Sequence, residues 1–215
     1  PVEDFETGRI DRTNLQRMKR FNDTYHNEAV AAKIGWVGRP WADRLMLGLS
    51  YAQEYKEIQT GVRQETVYGK KHRHGHSLMP SLQWRKRNLF VDNLDASFTL
   101  NYNKNTRTNV DTAQVKYNWR GETHPLNSPG EQSLLHSRAD NHNLNGTAKV
   151  DYTFRRTHTF TLSHTLNAFE RSNTSLLAKV EQQDAIKKRT AKHISGLSYV
   201  WTPSPKLTLS AFGKF

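Results

Sequence analysis

The segment best suited to chemistry is YGKKHRHGH, residues 68–76, in which three histidines alternate with other residues inside a basic run. Imidazole binds Zn, Cu, Ni or haem iron, but in an extended strand neighbouring histidines of this set would stand about 6.5–7 Å apart. One ion could reach all three only if Gly75 let the chain curl. Because the basic neighbours repel a cation and no carboxylate is adjacent, we expect no metal ion and no cofactor here.

Anion binding is a better use of the same segment. Its lysines and arginine could pair with phosphate or carboxylate groups of lipopolysaccharide or of an acidic ligand. A second basic run, KKRTAK at 187–192, is expected on the same side of the molecule. The plainest alternative, a solvated loop without a ligand, stays open. The candidate contact residues are Lys70, Lys71, His72, Arg73, His74 and His76.

Other chemistries leave little trace in the sequence. No GxSxG, HExxH, P-loop or GxGxxG motif occurs in a supporting context, so we expect no enzyme activity. The net charge of +12 favours a polyanionic neighbour, but we expect no nucleic acid, because the aromatics beside the basic runs follow an apolar face rather than lining a groove. The chain has no cysteine, which excludes disulfides and thiolate metal sites.

The elements that must position these residues are β-strands. Apolar and polar residues alternate along the chain with a period of two, which is typical of a strand with two unlike faces. In Leu94–Tyr102 the even positions are apolar and the odd ones are Asp, Ser, Thr or Asn. No segment has a helical period, so the sequence predicts an all-β, antiparallel protein of about eight strands. The predicted strands are 30–36, 44–55, 78–84, 94–102, 144–154, 160–168, 197–201 and 207–215.

Short and long connections alternate between these strands. The short ones, at 38–43, 90–93, 155–158 and 202–206, include Pro, Gly, Asn and Asp, which favour tight turns. The long ones are polar and cover about 60–77, 104–142 and 170–192. Short periplasmic turns and long extracellular loops are typical of an antiparallel transmembrane β-barrel of the outer membrane. No apolar run approaches the roughly 18 residues of a transmembrane helix.

The two faces of the strands carry different residues. Aromatics on the apolar face lie near the strand ends, where lipid interfaces are expected, and the polar face predicts a wet or protein-filled lumen. A soluble up-and-down sheet with core aromatics is the alternative, although the hydrophobic content of 35% is low for a soluble core. The predicted interface aromatics are Trp36, Trp84, Tyr102, Phe154 and Trp201. The predicted lumen-facing residues are Asp95, Asn101, Lys149 and Asp151.

Several stretches resemble a known family. RMKRFNDTYHN, GRPWADRLMLGLSYAQEYKEIQTGVRQ, VYGKKHRHGHSLMPSLQWRKRNLFV and YNWRGE are similar to the barrel region of TonB-dependent outer-membrane receptors of the Bacteroidetes type. The resemblance spans nearly the whole chain and carries no catalytic motif. It implies a barrel of about 22 strands, closed by an N-terminal plug domain and energised by the TonB complex. The implied function is active import of a bulky nutrient such as a siderophore, glycan, peptide or cofactor.

The expected organisation follows from this resemblance. Residues 1–215 would form part of one transmembrane β-barrel domain, with 1–27 as a preceding extracellular loop, 28–215 as about eight strands, and the plug domain outside this sequence. The expected partners are that plug, the TonB complex acting through it, outer-membrane lipid and lipopolysaccharide, the imported ligand and, as an optional partner, a surface lipoprotein. The alternatives are a soluble or surface-exposed β-rich binding or adhesin module and a self-contained eight-stranded outer-membrane barrel, including a barrel hydrolase.

Overall fold

The computed structural model describes residues 2–10, 12–13, 15–62, 64–177 and 187–215. These residues form ten β-strands and no helix, so none of them lies in a helix that could cross a membrane. The prediction of an all-β chain is therefore confirmed. The strands are β1 (Tyr25–Arg39), β2 (Ala42–Glu57), β3 (His72–Lys86), β4 (Leu94–Asp111), β5 (Val115–Tyr117), β6 (Thr123–Pro125), β7 (Leu135–Phe154), β8 (His158–Ser175), β9 (Lys187–Ser204) and β10 (Leu207–Lys214).

Eight of the strands form one antiparallel sheet, which we call the wall. Its order is β1-β2-β3-β4-β7-β8-β9-β10, and β5 and β6 form a separate short hairpin within the β4–β7 connection. Each predicted strand lies in one strand of the wall, except that Phe215 follows the end of β10. The β5–β6 hairpin was not predicted, because three-residue strands are too short to show alternation.

The short connections all lie at one end of the wall, the short-turn end. Gly38 and Asn93 adopt positive φ there, of 62° and 65°, which Gly and Asn tolerate better than other residues. In the three-residue β7–β8 connection, Arg155 and Arg156 both have positive φ, as the central residues of a type I′ turn do. The predicted short turns are thus present, and the long connections lie at the opposite end.

The strands extend further into the predicted long loops than the sequence suggested. β3 begins at His72, β4 continues to Asp111, and β7 begins at Leu135. The loop predictions for 60–77 and 104–142 were therefore wrong at their ends. In the third predicted loop, 170–192, residues 170–175 and 187–192 lie in strands, and residues 178–186 lie outside the described part. In these extensions both faces are polar, so hydrophobic alternation gives no signal although backbone pairing continues.

The wall is an open sheet in the described residues. β1 pairs only with β2, and β10 pairs only with β9, so the two edge strands do not meet. The alternative of a self-contained eight-stranded barrel is therefore not what these residues form. An uncovered edge strand presents unpaired N–H and C=O groups that can pair with another strand.

The register of the wall separates its residues into two faces. Trp36, Leu45, Trp84 and Phe98 lie side by side on four consecutive strands and belong to what we call the apolar face. The residues between them belong to the polar face, which is rich in Asn, Thr and Ser. Because side chains alternate along a strand, this register keeps each face consistent across the wall.

The apolar face is not covered by any other part of the described chain. Leu49 and Leu197, near the middle of β2 and β9, are 51% and 55% exposed. The total accessible surface is 15467 Å², whereas a compact monomer of this mass exposes about 10,000 Å². The wall thus has no hydrophobic core of its own.

The buried interior of the molecule lies instead at the long-loop end. The described parts of 2–24, 58–71 and 112–134 pack together there into what we call the cap. Its largest fully buried side chains are Gln59 and Asn118, and the carboxylate of Asp111 at the end of β4 is buried beside them. This interior combines these polar groups with the buried side chains of Val67, Tyr68 and Ala113, and its polar groups must be satisfied by hydrogen bonds.

Candidate functional site

The most organised feature of the cap is the turn formed by YNWRGE, residues 117–122. Asn118 is 1% exposed, and its Oδ1 accepts hydrogen bonds from the backbone N–H of Arg120 and Glu122, at 2.9 and 3.1 Å. Its Nδ2 donates to the carbonyl of Glu3 at 3.0 Å, which ties the turn to the N-terminal segment. Gly121 has a φ of 80°, in the left-handed region that favours glycine. The turn is therefore held from within by one buried amide.

This turn presents Trp119 and Arg120 side by side. The indole Nε1–H of Trp119 donates to the carbonyl of Gln64 at 2.9 Å, which fixes the ring against the 58–71 segment. Arg120 is exposed, and its backbone is fixed by Asn118. A fixed aromatic ring beside an exposed guanidinium can offer both an apolar surface and a charged hydrogen-bond donor.

Two hollows flank the turn. The first, of about 360 Å³, is lined by Trp119 together with Leu15, Met18 and Arg20. The second, of about 440 Å³, is lined by Arg120 with Arg9 and Asp4. Both hollows also touch Val2 and Gln16, so they are parts of one cleft between the N-terminal segment and the turn. We call this the Trp119–Arg120 cleft.

Positive charge predominates in this cleft. Three arginines line the cleft, whereas only two carboxylates do, those of Glu3 and Asp4. Glu3 is already paired with Lys116 Nζ at 2.5 Å. Hydrogen bonds from Thr7 and from the backbone of Glu6 lower the pKa of Asp4, so its carboxylate is ionised and engaged.

The three arginines of the cleft differ in whether they already form a salt bridge. Arg20 is paired with Asp23 at 2.8 Å. Within the described part of the chain, Arg9 and Arg120 form no salt bridge, although Arg120 contributes to the lowered pKa of Asp4. These two arginines are therefore the groups best able to accept an additional anion.

The predicted basic segment has a different environment. The backbone N–H groups of Gly69, Lys70 and Lys71 all point at the carboxylate of Glu131, at 2.5, 2.9 and 3.0 Å. Successive N–H groups of this kind make an anion-binding concavity. The position that an external phosphate or carboxylate would take beside this backbone is thus filled by the protein's own side chain.

The side chain of Lys71 also has partners within the protein. Its Nζ lies 3.6 Å from Asp111, whose side chain has no exposed surface, and it also contacts Gln132. Asp111 accepts hydrogen bonds from the backbone of Glu131 at 2.5 Å and of Gln132 at 3.1 Å. Burial, and then the charges of Asp111 and Glu131, raise the pKa of Tyr68 beside them. Lys71 therefore stabilises the cap internally.

The three predicted histidines lie in β3 and not in a loop. They share one face, where the strand continues the apolar face, and the rings of His72 and His74 have centroids 6.2 Å apart. Gly75 does not curl the chain; a Cβ there would collide with the carbonyl of Thr106 on β4. Among the described residues, no group of three or more His, Asp or Glu side chains is placed to hold a metal ion.

His74 and Arg73 face opposite sides of β3. Burial lowers the pKa of His74, and the neighbouring imidazoles of His72, His136 and His76 lower it further. Arg73 lies on the polar face near Glu54, with its Nε 3.9 Å from the carboxylate. The six candidate contact residues therefore do not converge on one site.

The other predicted residues separate cleanly by face. Lys149 and Asp151 lie on the polar face as an ion pair at 2.9 Å, and Asp95 lies opposite Asp151 on β4. Asn101 is on the same face, opposite Asn145. That this face lines a lumen stays a prediction. The aromatics that share the apolar face are Trp36, Trp84, Tyr102, Phe154 and Trp201.

Trp119 and Arg120 were not predicted as site residues. The available signal was the sequence Asn-Trp-Arg-Gly, in which a turn-forming Asn and a Gly flank an aromatic and a cation. Comparison of the chain with protein-family models, with curated proteins and with solved structures gives no match. The functional interpretation therefore rests on the geometry of the wall and the cap.

Proposed function

We propose that this chain is a wall segment of a transmembrane β-barrel in the bacterial outer membrane, within a TonB-dependent receptor that imports a bulky nutrient. The observation that carries the proposal is the uncovered apolar face of the wall. A sheet that exposes leucines near the middle of its strands needs an apolar phase against it, and lipid supplies one. The aromatics near both ends of this face suit the two lipid–water interfaces.

The open edges of the wall support the same proposal. β1 and β10 each have one neighbour among the described strands, and further strands of a larger barrel would pair with both. The polar face, with its charged pair Lys149–Asp151, suits a lumen filled with water or with a plug. A charge pair of this kind on the lipid side would be strongly unfavourable.

The proposed mechanism divides the work between the two ends of the chain. The cap and the strand extensions capture the ligand outside the cell, and the wall encloses a lumen. A plug, energised by the TonB complex, moves to release the ligand inward. This segment carries out no bond chemistry in that scheme.

Heat-modifiable migration tests this proposal. The complete receptor that contains this segment, purified in detergent, is run on a gel with and without boiling, because closed barrels resist unfolding by detergent at room temperature and migrate differently when unfolded. We expect a shifted band and a requirement for detergent. A protein that stays soluble without detergent and shows one unshifted band would overturn the barrel and favour a surface-exposed binding module.

A further inference from the structure

We propose that the Trp119–Arg120 cleft binds an organic anion that carries a flat ring. This assigns a ligand class and a capture site to the receptor proposed above, and its role in import rests on that function. Binding itself depends only on the cap, whose internal contacts hold the cleft in shape. No residue of the cleft belongs to the wall.

The ring is recognised in the first hollow. Trp119 cannot rotate freely, because its Nε1–H is bonded to the carbonyl of Gln64. Leu15, which is 74% exposed, and Met18 line the same hollow and extend its apolar surface. An indole held in place offers its face to a flat ring at low entropic cost, and a thioether adapts to the ring edge.

The anionic group is recognised in the second hollow. Arg120 and Arg9 line it and have no salt-bridge partner among the described residues. A guanidinium can bind carboxylate or phosphate through two parallel N–H···O bonds, which fixes both position and orientation. The ionised Asp4 lines the same hollow and offsets part of this positive charge, so a ligand with a single anionic group suits the site.

The spacing of the two groups follows from the chain itself. Trp119 and Arg120 are adjacent residues on a turn that Asn118 holds from within, so ring and anion must be close together on the ligand. The hollows share Val2 and Gln16, and their volumes of about 360 and 440 Å³ suit a small ligand. The basic segment at 69–71 is a poorer choice, since Glu131 already fills its backbone concavity.

Three matched probes test this assignment on the purified protein in detergent. They are 2-naphthoate, its neutral analogue 2-naphthamide, and cyclohexanecarboxylate, which keeps the charge but has no flat ring. Titration calorimetry measures each dissociation constant, with protein-free detergent as the blank. We expect 2-naphthoate to bind at least about tenfold more tightly than either analogue, since each lacks one of the two interactions.

Two substitutions assign the interactions to their residues. R120Q is expected to weaken 2-naphthoate by about tenfold and to leave 2-naphthamide unchanged. W119F keeps an aromatic ring but lacks the anchoring N–H, and it should weaken both naphthalene probes by a smaller factor. R155Q and W41F, at the short-turn end, are the matched controls and should bind like the wild type.

The outcomes separate this assignment from the proposed function. Equal binding of the acid and the amide, no binding of 2-naphthoate, or wild-type binding by R120Q would each overturn the assignment, even if the band remains heat-modifiable. Selective binding that R120Q abolishes would support it. If selective binding of 2-naphthoate is measured in a protein that is soluble without detergent, the ligand assignment is supported and the barrel proposal is overturned.

Discussion

The cap and the wall meet their energetic requirements in opposite ways. The cap buries Gln59, Asn118 and Asp111, all polar, and hydrogen bonds satisfy most of their polar atoms, although Gln59 Nε2 has no partner among the described residues. The wall exposes its leucines and aromatics on one face and buries few of them. The interior of the cap is thus held largely by hydrogen bonds, whereas no part of the described chain covers the apolar face of the wall.

Side-chain amides join the separate segments of the cap. Asn22 donates from Nδ2 to the carbonyls of Tyr68 and Lys71, at 3.0 and 3.2 Å. Gln59 accepts at Oε1 from the backbone of Phe21 and Asn22, at 2.7 and 3.0 Å. These contacts link residues far apart in sequence, so the cap should lose its structure cooperatively if one buried group is removed.

The largest expected effect is at the junction between the two regions. D111A removes the acceptor of several backbone N–H groups and leaves Lys71 next to a buried space without its counter-ion. We expect the cap to lose about 3–5 kcal/mol of stability. Hydrogen exchange of residues 112–134 measures this as a loss of protection.

The matched control for this change is D92A, in the exposed β3–β4 turn. It should leave cap protection unchanged. The wall should keep its heat-modifiable band in both variants, because its pairing does not depend on Asp111. If D111A abolished the shifted band as well, the cap and the wall would not be separate cooperative units.

An arginine in the middle of β2 probes the wall. Leu49 lies on the apolar face and Ser50 on the polar face, one residue apart. In lipid, L49R should cost about 2–4 kcal/mol, because a charge on the lipid side is poorly solvated. S50R should cost much less, and urea unfolding in vesicles measures both.

The same pair of variants can also contradict the proposal that the apolar face contacts lipid. If the apolar face were water-exposed, L49R would change stability by no more than about 0.5 kcal/mol. The two variants would then be indistinguishable. Their difference therefore measures how strongly the wall depends on lipid.

The smallest predicted effect concerns pH at the outer part of β3. The pKa of His74 is lowered from 6.5 by burial and by the surrounding imidazoles, so the unfolded chain binds this proton more readily than the folded one. Stability should therefore fall as the pH drops below about 6.5. Since His74 is exposed in part, we expect less than about a tenfold loss of exchange protection between pH 8 and pH 5.

H74Q removes this titration and should flatten the pH response of β3. H26Q, on the exposed edge strand β1, is the control and should leave the response intact. A response that is unchanged in H74Q would assign the pH sensitivity to other groups.

The sequence predicted the wall well wherever one face is apolar. In Leu94–Tyr102 the alternation gave the strand, its two faces and the side that carries aromatics. The same strand continues to Asp111 through Thr106 and Thr108, which are buried although polar. Hydrophobicity cannot detect that continuation, because both faces there are polar.

The cap and its cleft could not be predicted in the same way. Their largest fully buried side chains are Gln59, Asn118 and Asp111, residue types that usually lie at the surface. The partner of the 69–71 backbone is Glu131, about sixty residues away, and no local pattern connects the two. The position of Trp119 beside the N-terminal segment likewise depends on long-range contacts.

Cysteine accessibility along β2 can show whether the apolar face of the wall contacts lipid, because the chain has no cysteine of its own. Single cysteines are placed at 47, 49 and 51 on the apolar face and at 46, 50 and 52 on the polar face, and the protein is reconstituted into vesicles. We predict that a membrane-impermeant maleimide labels the even positions and reaches the odd ones only after detergent dissolves the lipid. Equal labelling of the apolar-face and polar-face cysteines in intact vesicles would show that the apolar face is not covered by lipid.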